Sequence, residues 1–138
     1  MNKEKFIVEY DLKSVSPTLL WSYIGTKNGL ADWFADDVQN EEKLFTFFWN
    51  KSSQQAHQIA VRSGSYIRFH WSDDEDEKSF FELRISSSEL TGATMLVITD
   101  FAYPDEMADS RGLWDHQIET LRRKLGVGLF LKRLKGKF

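Results

Sequence analysis

The sequence predicts an α+β domain in which a curved antiparallel β-sheet of about six to seven strands wraps around a long C-terminal helix. Between about residues 37 and 103, apolar and polar residues alternate in several runs. Two short helical stripes follow the first alternating run, and one long helical stripe follows the last. Because a sheet with one polar face must cover its other face, we expect the long helix to lie across the concave side.

The chain opens with a predicted strand, followed by two predicted short helices. Alternation over residues 6–13 places Phe6, Val8, Tyr10 and Leu12 on one face. Ser16-Pro17 is typical of a helix start, with a hydroxyl at the N-cap and a proline in the first helical position. The second short helix carries Leu30, Trp33 and Phe34 on one side.

The alternating runs predict the inner rows of the sheet. These rows are Phe45, Phe47 and Trp49, then Ile67, Phe69 and Trp71, then Phe81, Leu83 and Ile85, with a weaker strand at 53–62. Hairpin turns are predicted at Ser63-Gly64 and Thr91-Gly92, and an acidic loop at 72–78. The run from Met95 to Phe101 is apolar at most positions, so its two faces are not assigned.

The long terminal helix is predicted from apolar residues that recur at helical spacing. These are Met107, Trp114, Ile118, Leu121 and Leu125. Gly126 is the predicted stop. Gly112 costs about 1 kcal/mol in a helix relative to alanine, so we expect the helix to begin near Ser110. The predicted domain covers residues 1–126, and a chain that ends after Leu125 is expected to fold.

Residues 127–138 form a predicted basic and apolar tail without an acid. Such a tail could contact an anionic membrane surface weakly, bind a partner, or make no such contact.

Composition excludes several classes of function. A net charge of −3 argues against a nucleic-acid partner, and the absence of cysteine excludes thiol catalysis and thiolate metal sites. No apolar run approaches the roughly 20 residues of a membrane span, and no secretory leader is visible, so a cytoplasmic protein is expected. The three histidines lack metal-ligand spacing, so no metal or cofactor is predicted.

Five short segments carry a family resemblance: Leu20-Trp21, Gly29 to Phe34, Ile67 to Trp71, Leu90 to Thr94 and Leu113 to Asp115. Their order over residues 5–126 resembles the START-like (SRPBCC, helix-grip) superfamily, in particular the branch related to the activator of Hsp90 ATPase. The resemblance implies a cavity between the sheet and the terminal helix. Members of the superfamily use this cavity for lipids, polyketides or other apolar ligands.

The expected function is therefore non-catalytic binding of an apolar small molecule, lipid-like or aromatic. The expected ligand-binding residues are Trp33, Phe34, Phe69, Trp71, Phe81, Leu83, Trp114 and Ile118. One alternative is a protein-interaction module with a packed interior, by analogy with the chaperone-activator relatives. The other is a cyclase- or hydrolase-type enzyme, although no nucleophile elbow, phosphate loop or dinucleotide motif is present and no catalytic residue is assigned. The oligomeric state is left open.

Overall fold

Seven strands and three α-helices make up residues 2–127, the part of the chain that this computed structural model describes. The strands are β1 (Glu4–Asp11), β2 (Asp37–Glu41), β3 (Leu44–Trp49), β4 (Ser52–Arg62), β5 (Tyr66–Trp71), β6 (Phe81–Ser87) and β7 (Thr94–Ala102). The helices are α1 (Pro17–Ile24), α2 (Lys27–Trp33) and α3 (Met107–Leu125), and a 3-10 turn at Pro104–Glu106 precedes α3. The predicted α+β class and element order are confirmed.

The strands form one antiparallel sheet in the order β1-β7-β6-β5-β4-β3-β2. Register sets the predicted inner rows side by side: Phe69 lies opposite Phe81, and Ile67 opposite Leu83. The unassigned strand β7 alternates as well. Leu96 and Ile98 are fully buried on the inner face, whereas Val97 between them is half-buried on the outer face.

The two short helices are started by capping side chains and held together by a glycine. Ser16 Oγ accepts a hydrogen bond from the Leu19 amide (3.2 Å), which confirms the predicted start of α1. A Cβ at Gly29 would lie 2.0 Å from the Ser22 carbonyl oxygen, so only glycine allows α2 to pack this closely on α1. Trp33 Nε1 donates to the Tyr23 carbonyl (2.9 Å) and fixes the end of α2 over α1.

Helix α3 begins at Met107, three residues before the predicted start at Ser110. The 3-10 turn leads directly into the helix, and Gly112 sits on an exposed side, where an added Cβ would meet no neighbouring atom within 4 Å. The buried stripe of Trp114, Ile118 and Leu121 offsets the cost of that glycine. Gly126 ends the helix as predicted: at a φ of 85° its N–H donates to the Arg122 and Arg123 carbonyls.

The outer face of the sheet holds a buried acid between two arginines. Glu82 is only 5% exposed and accepts hydrogen bonds from Arg68 Nη2 (2.9 Å) and Arg84 Nε (3.0 Å). Each guanidinium also stacks 4.2 Å from a ring centroid, Arg68 over Phe80 and Arg84 over Tyr66. Burial alone would raise the pKa of Glu82, but the hydrogen bonds from Arg84 and Arg68 outweigh it and lower that pKa.

Within residues 2–127, no helix is long and apolar enough to cross a membrane. The predicted basic tail lies outside the described residues, apart from Val127.

Candidate functional site

A cleft of about 340 Å³ lies between the inner face of the sheet and α3, and we name it the ring cleft. Aromatic side chains dominate its lining, which consists of Phe34, Trp49, Gln54, Trp71, Phe81, Asp100, Ser110, Leu113, Trp114 and Gln117. Ligand sites in proteins commonly measure about 300–1,000 Å³ and are mostly apolar with a few polar groups. The ring cleft therefore has the volume and lining of a small ligand site.

Phe34 forms the packed base of the ring cleft. Its ring stacks on Phe81 (5.6 Å between centroids, 27° between planes) and on Trp114 (5.7 Å, 23°). It also meets Phe47 edge-on at 5.1 Å. Such contacts add about 0.5–1.5 kcal/mol each beyond the buried area, so this base is a rigid part of the core.

The backbone carbonyl of Phe34 connects α2 with β3 and α3 through hydrogen bonds. Its carbonyl oxygen accepts a hydrogen bond from Trp49 Nε1 on β3 (3.1 Å) and another from Gln117 Nε2 on α3 (3.2 Å). Because Phe34 is the C-cap of α2, this carbonyl has no helical partner and needs such donors. The two hydrogen bonds hold the end of α2 between the sheet and the terminal helix, and they orient two lining side chains.

Two half-buried tryptophans, Trp49 and Trp71, extend the aromatic lining of the ring cleft along the sheet. Trp71 lies 5.0 Å from Phe81 and 6.3 Å from Trp49, centroid to centroid. Each ends an alternating row, Trp49 on β3 and Trp71 on β5, so both project from the same inner face. Their packed sides join the core, and their remaining exposed area faces the ring cleft.

Asp100 is the ionisable residue in the described lining of the ring cleft. It follows Leu96 and Ile98 on the inner face of β7. Its Oδ2 accepts from Trp114 Nε1 (2.8 Å), and its Oδ1 accepts from the Phe101 amide (2.7 Å). Burial raises the pKa of Asp100 above its usual value, and these two hydrogen bonds oppose the rise only in part.

A carboxylate in this position can accept further hydrogen bonds or pair with a cation. Within residues 2–127, no three histidine, aspartate or glutamate side chains come together in a way that could hold a metal ion.

A family model described as the START-like superfamily domain matches residues 1–127 of this chain. The chain belongs to the START-like superfamily. This START-like domain is 49% identical to a Bacteroides fragilis protein solved in solution, with 90% of this chain and 92% of that chain covered and a TM-score of 0.63. No match was found among curated proteins.

Two more distant solved structures share the fold of this START-like domain. The Aha1 dimer from Colwellia psychrerythraea is 15% identical, with 93% of this chain and 98% of that chain covered and a TM-score of 0.70. DynU16, from the dynemicin biosynthetic locus, is 15% identical with a TM-score of 0.74; 92% of this chain but only 49% of DynU16 is covered. At this identity the two structures show the fold alone.

Of the eight residues predicted as ligand-binding, four line the ring cleft of the START-like domain: Phe34, Trp71, Phe81 and Trp114. Trp33 lies in an adjoining surface depression that also includes Phe34, His116 and Thr120. Phe69, Leu83 and Ile118 are fully buried within the core. These three residues support the site from below and do not line it.

Six lining residues were not predicted: Trp49, Gln54, Asp100, Ser110, Leu113 and Gln117. Trp49 could have been found, because it ends the same alternating row as Phe47. Ser110 and Gln117 lie four residues before and three residues after Trp114, which places all three on one helical face. Asp100 was not predicted as a lining residue, because the sequence pattern did not assign the two faces of β7.

Proposed function

We propose that this START-like domain binds an apolar small molecule with one or two aromatic rings in the ring cleft. The observation that carries the proposal is the cleft itself, a space of about 340 Å³ walled by rings that are packed into the core. Its volume lies near the lower end for ligand sites, which favours a compact aromatic compound over a long acyl chain.

The expected affinity is modest. Burying roughly 200 Å² of apolar ligand surface at about 25 cal/mol per Å² contributes about 5 kcal/mol before the costs of ordering. That contribution corresponds to a dissociation constant of about 0.2 mM before those costs, so millimolar affinity follows unless polar contacts add to it.

The test uses Prodan, a neutral dye with a two-ring naphthalene core that emits more strongly at shorter wavelength in apolar surroundings. We expect its emission to rise on addition of the domain, and Trp71→Ala to weaken binding by about tenfold, equal to 1.4 kcal/mol. Phe48→Ala is the matched control, because Phe48 is partly exposed and its neighbours Phe47 and Trp49 alternate onto the inner face. Failure of the dye to bind, or equal weakening by both substitutions, contradicts the proposal.

A second candidate function is a protein-interaction module. It is favoured by the packing of the Phe34 ring between the sheet and α3, where it stacks on Phe81 and Trp114. The shared fold with Aha1, a dimer in the Colwellia structure, favours it as well. Light scattering after size-exclusion chromatography tests whether this chain also associates. A dimer with no affinity for Prodan would favour this second function.

A further inference from the structure

The ring cleft carries a negative charge that no lining cation balances. Nine of its ten described lining residues are uncharged, and the tenth is Asp100. Lys3 influences Asp100 electrostatically, but its ammonium is bound to Asp74 at 2.9 Å and it does not line the cleft. Arg111 lies over the Phe6 ring, 5.1 Å from its centroid, and is not a lining residue either.

Both oxygens of Asp100 keep acceptor positions that the hydrogen bonds from Trp114 and Phe101 do not fill. A carboxylate has about four acceptor positions on its two oxygens. Trp114 Nε1 occupies one position on Oδ2, and the Phe101 amide occupies one on Oδ1. Because both donors are neutral groups, the charge of the carboxylate is not compensated within the cleft.

The aromatic rings that line the ring cleft also favour a positively charged ligand. The face of an aromatic ring carries negative potential, and tryptophan attracts cations most strongly among the aromatic side chains. Three tryptophans, Trp49, Trp71 and Trp114, line the ring cleft. A positively charged group held near them is attracted by the carboxylate and by the rings together.

We infer that the ring cleft selects an organic cation, a protonated amine attached to an apolar ring. The ammonium group hydrogen-bonds to Asp100, and the ring packs against Trp71 and Phe81. This inference rests on the proposed function and adds the charge of the ligand. Anionic compounds such as fatty acids are disfavoured, because their carboxylate would be repelled by the Asp100 carboxylate.

The experiment compares three probes with the same naphthalene ring: 2-naphthylmethylamine, 2-naphthalenemethanol and 2-naphthoate. At neutral pH they are cationic, neutral and anionic. Isothermal titration calorimetry should show the amine binding about tenfold tighter than the alcohol, and the carboxylate about tenfold weaker than the alcohol. Raising the salt concentration should reduce the amine preference only slightly, because the charges meet in a partly buried site.

Two variants assign the charge preference to Asp100. Asp100→Asn should remove the preference for the amine, so that the amine and the alcohol bind this variant about equally. Glu89→Gln removes the same charge from an exposed turn at the far end of β7 and should leave the order of the probes intact.

The outcomes separate the two proposals. Equal binding of amine and alcohol, or an amine preference that survives in Asp100→Asn, overturns the inference, while binding of the alcohol still supports the proposed function. If none of the three probes binds, the proposed function and the inference fail together.

Discussion

The buried Glu82 and the half-buried Asp100 show that an acidic side chain can stabilise this fold at one position and destabilise it at another. Glu82 accepts hydrogen bonds from two arginines, and its pKa is lowered. Asp100 accepts hydrogen bonds only from neutral donors, and burial raises its pKa. A lowered pKa means that folding favours the charged carboxylate, and a raised pKa means that folding opposes it.

Glu82→Gln should destabilise the domain by about 2 kcal/mol at neutral pH, because hydrogen bonds between charged groups are lost and two arginines remain side by side. The folded pKa lies below the usual 4.5, so this stabilisation is present above 4.5 and is lost as the pH falls through the folded value. Urea denaturation at neutral and acidic pH measures both effects. Glu9→Gln, at an exposed position of β1, is the control that should change little. Equal stability of wild type and Glu82→Gln at neutral pH would contradict this prediction.

Asp100→Asn should leave the stability at neutral pH unchanged or raise it. The folded pKa of Asp100 lies above the usual 3.8, so the wild-type domain loses stability as the pH rises from 3.8 through the folded value, and the asparagine variant does not. Thermal melts of both proteins between about pH 4 and 8 measure the difference. A variant that is less stable by more than about 1 kcal/mol at neutral pH would show that the carboxylate is structural. An acid that costs stability yet lines a cleft is the pattern expected of a functional group.

At the scale of the elements, helix α3 closes the inner face of the sheet through one stripe of side chains. The spacing of the apolar residues along α3 predicted this stripe correctly, because burial on a helix follows the 3.6-residue period. The predicted start of α3 at Ser110 was three residues later than the observed start at Met107. The local cost of Gly112 is about 1 kcal/mol, whereas burying Trp114 and Ile118 gains more, so packing sets where the helix begins.

Ile118→Ala should destabilise the domain by about 2–5 kcal/mol, because Ile118 is fully buried and its removal leaves a cavity. Leu113→Ala on the same helix is the matched control: Leu113 is 60% exposed, and its loss should cost no more than about 0.5 kcal/mol. Chemical denaturation of both variants measures the contrast. Similar losses would mean that α3 does not pack on the sheet through this stripe.

The sequence predicted which face of an element is buried more reliably than how deep each residue lies. Phe69 and Phe81 are inner-face neighbours, yet Phe81 reaches the ring cleft and Phe69 does not. The difference comes from where Phe34 and α3 sit, which is a long-range property. Asp100 was missed for another reason: an apolar run on both faces of β7 hid its period of two.

In the domain as a whole, the Phe34 ring fills part of the space between the sheet and α3. Phe34 follows the last residue of the short helix α2, and its ring lies between the sheet and α3. There the ring stacks on Phe81 and Trp114. The space left beside it is the ring cleft of about 340 Å³. A single side chain at the end of α2 therefore limits the space of the ring cleft.

Residues 128–138 lie outside the described structure, and we expect them to contribute little to the stability of the domain. We expect a chain that ends at Val127 to melt at the same temperature as the full chain and to remain monodisperse. The reason is that α3 is capped before the tail begins: Gly126, in the left-handed conformation, donates its N–H to the carbonyls of Arg122 and Arg123. Ending at Val127, two residues beyond the Leu125 suggested by the sequence, keeps this cap.

Differential scanning calorimetry and light scattering compare the two chains, and Prodan binding should be equal because no residue of the ring cleft is removed. The control ends at Leu125 and lacks Gly126, so α3 loses its final hydrogen bonds and the melting temperature should fall by a few degrees. The tail carries Lys132, Arg133, Lys135 and Lys137 without an acid, so its removal also makes the protein more acidic. If removing residues 128–138 lowers the melting temperature or converts an oligomer to monomers, these residues form an interface and are not a dispensable tail.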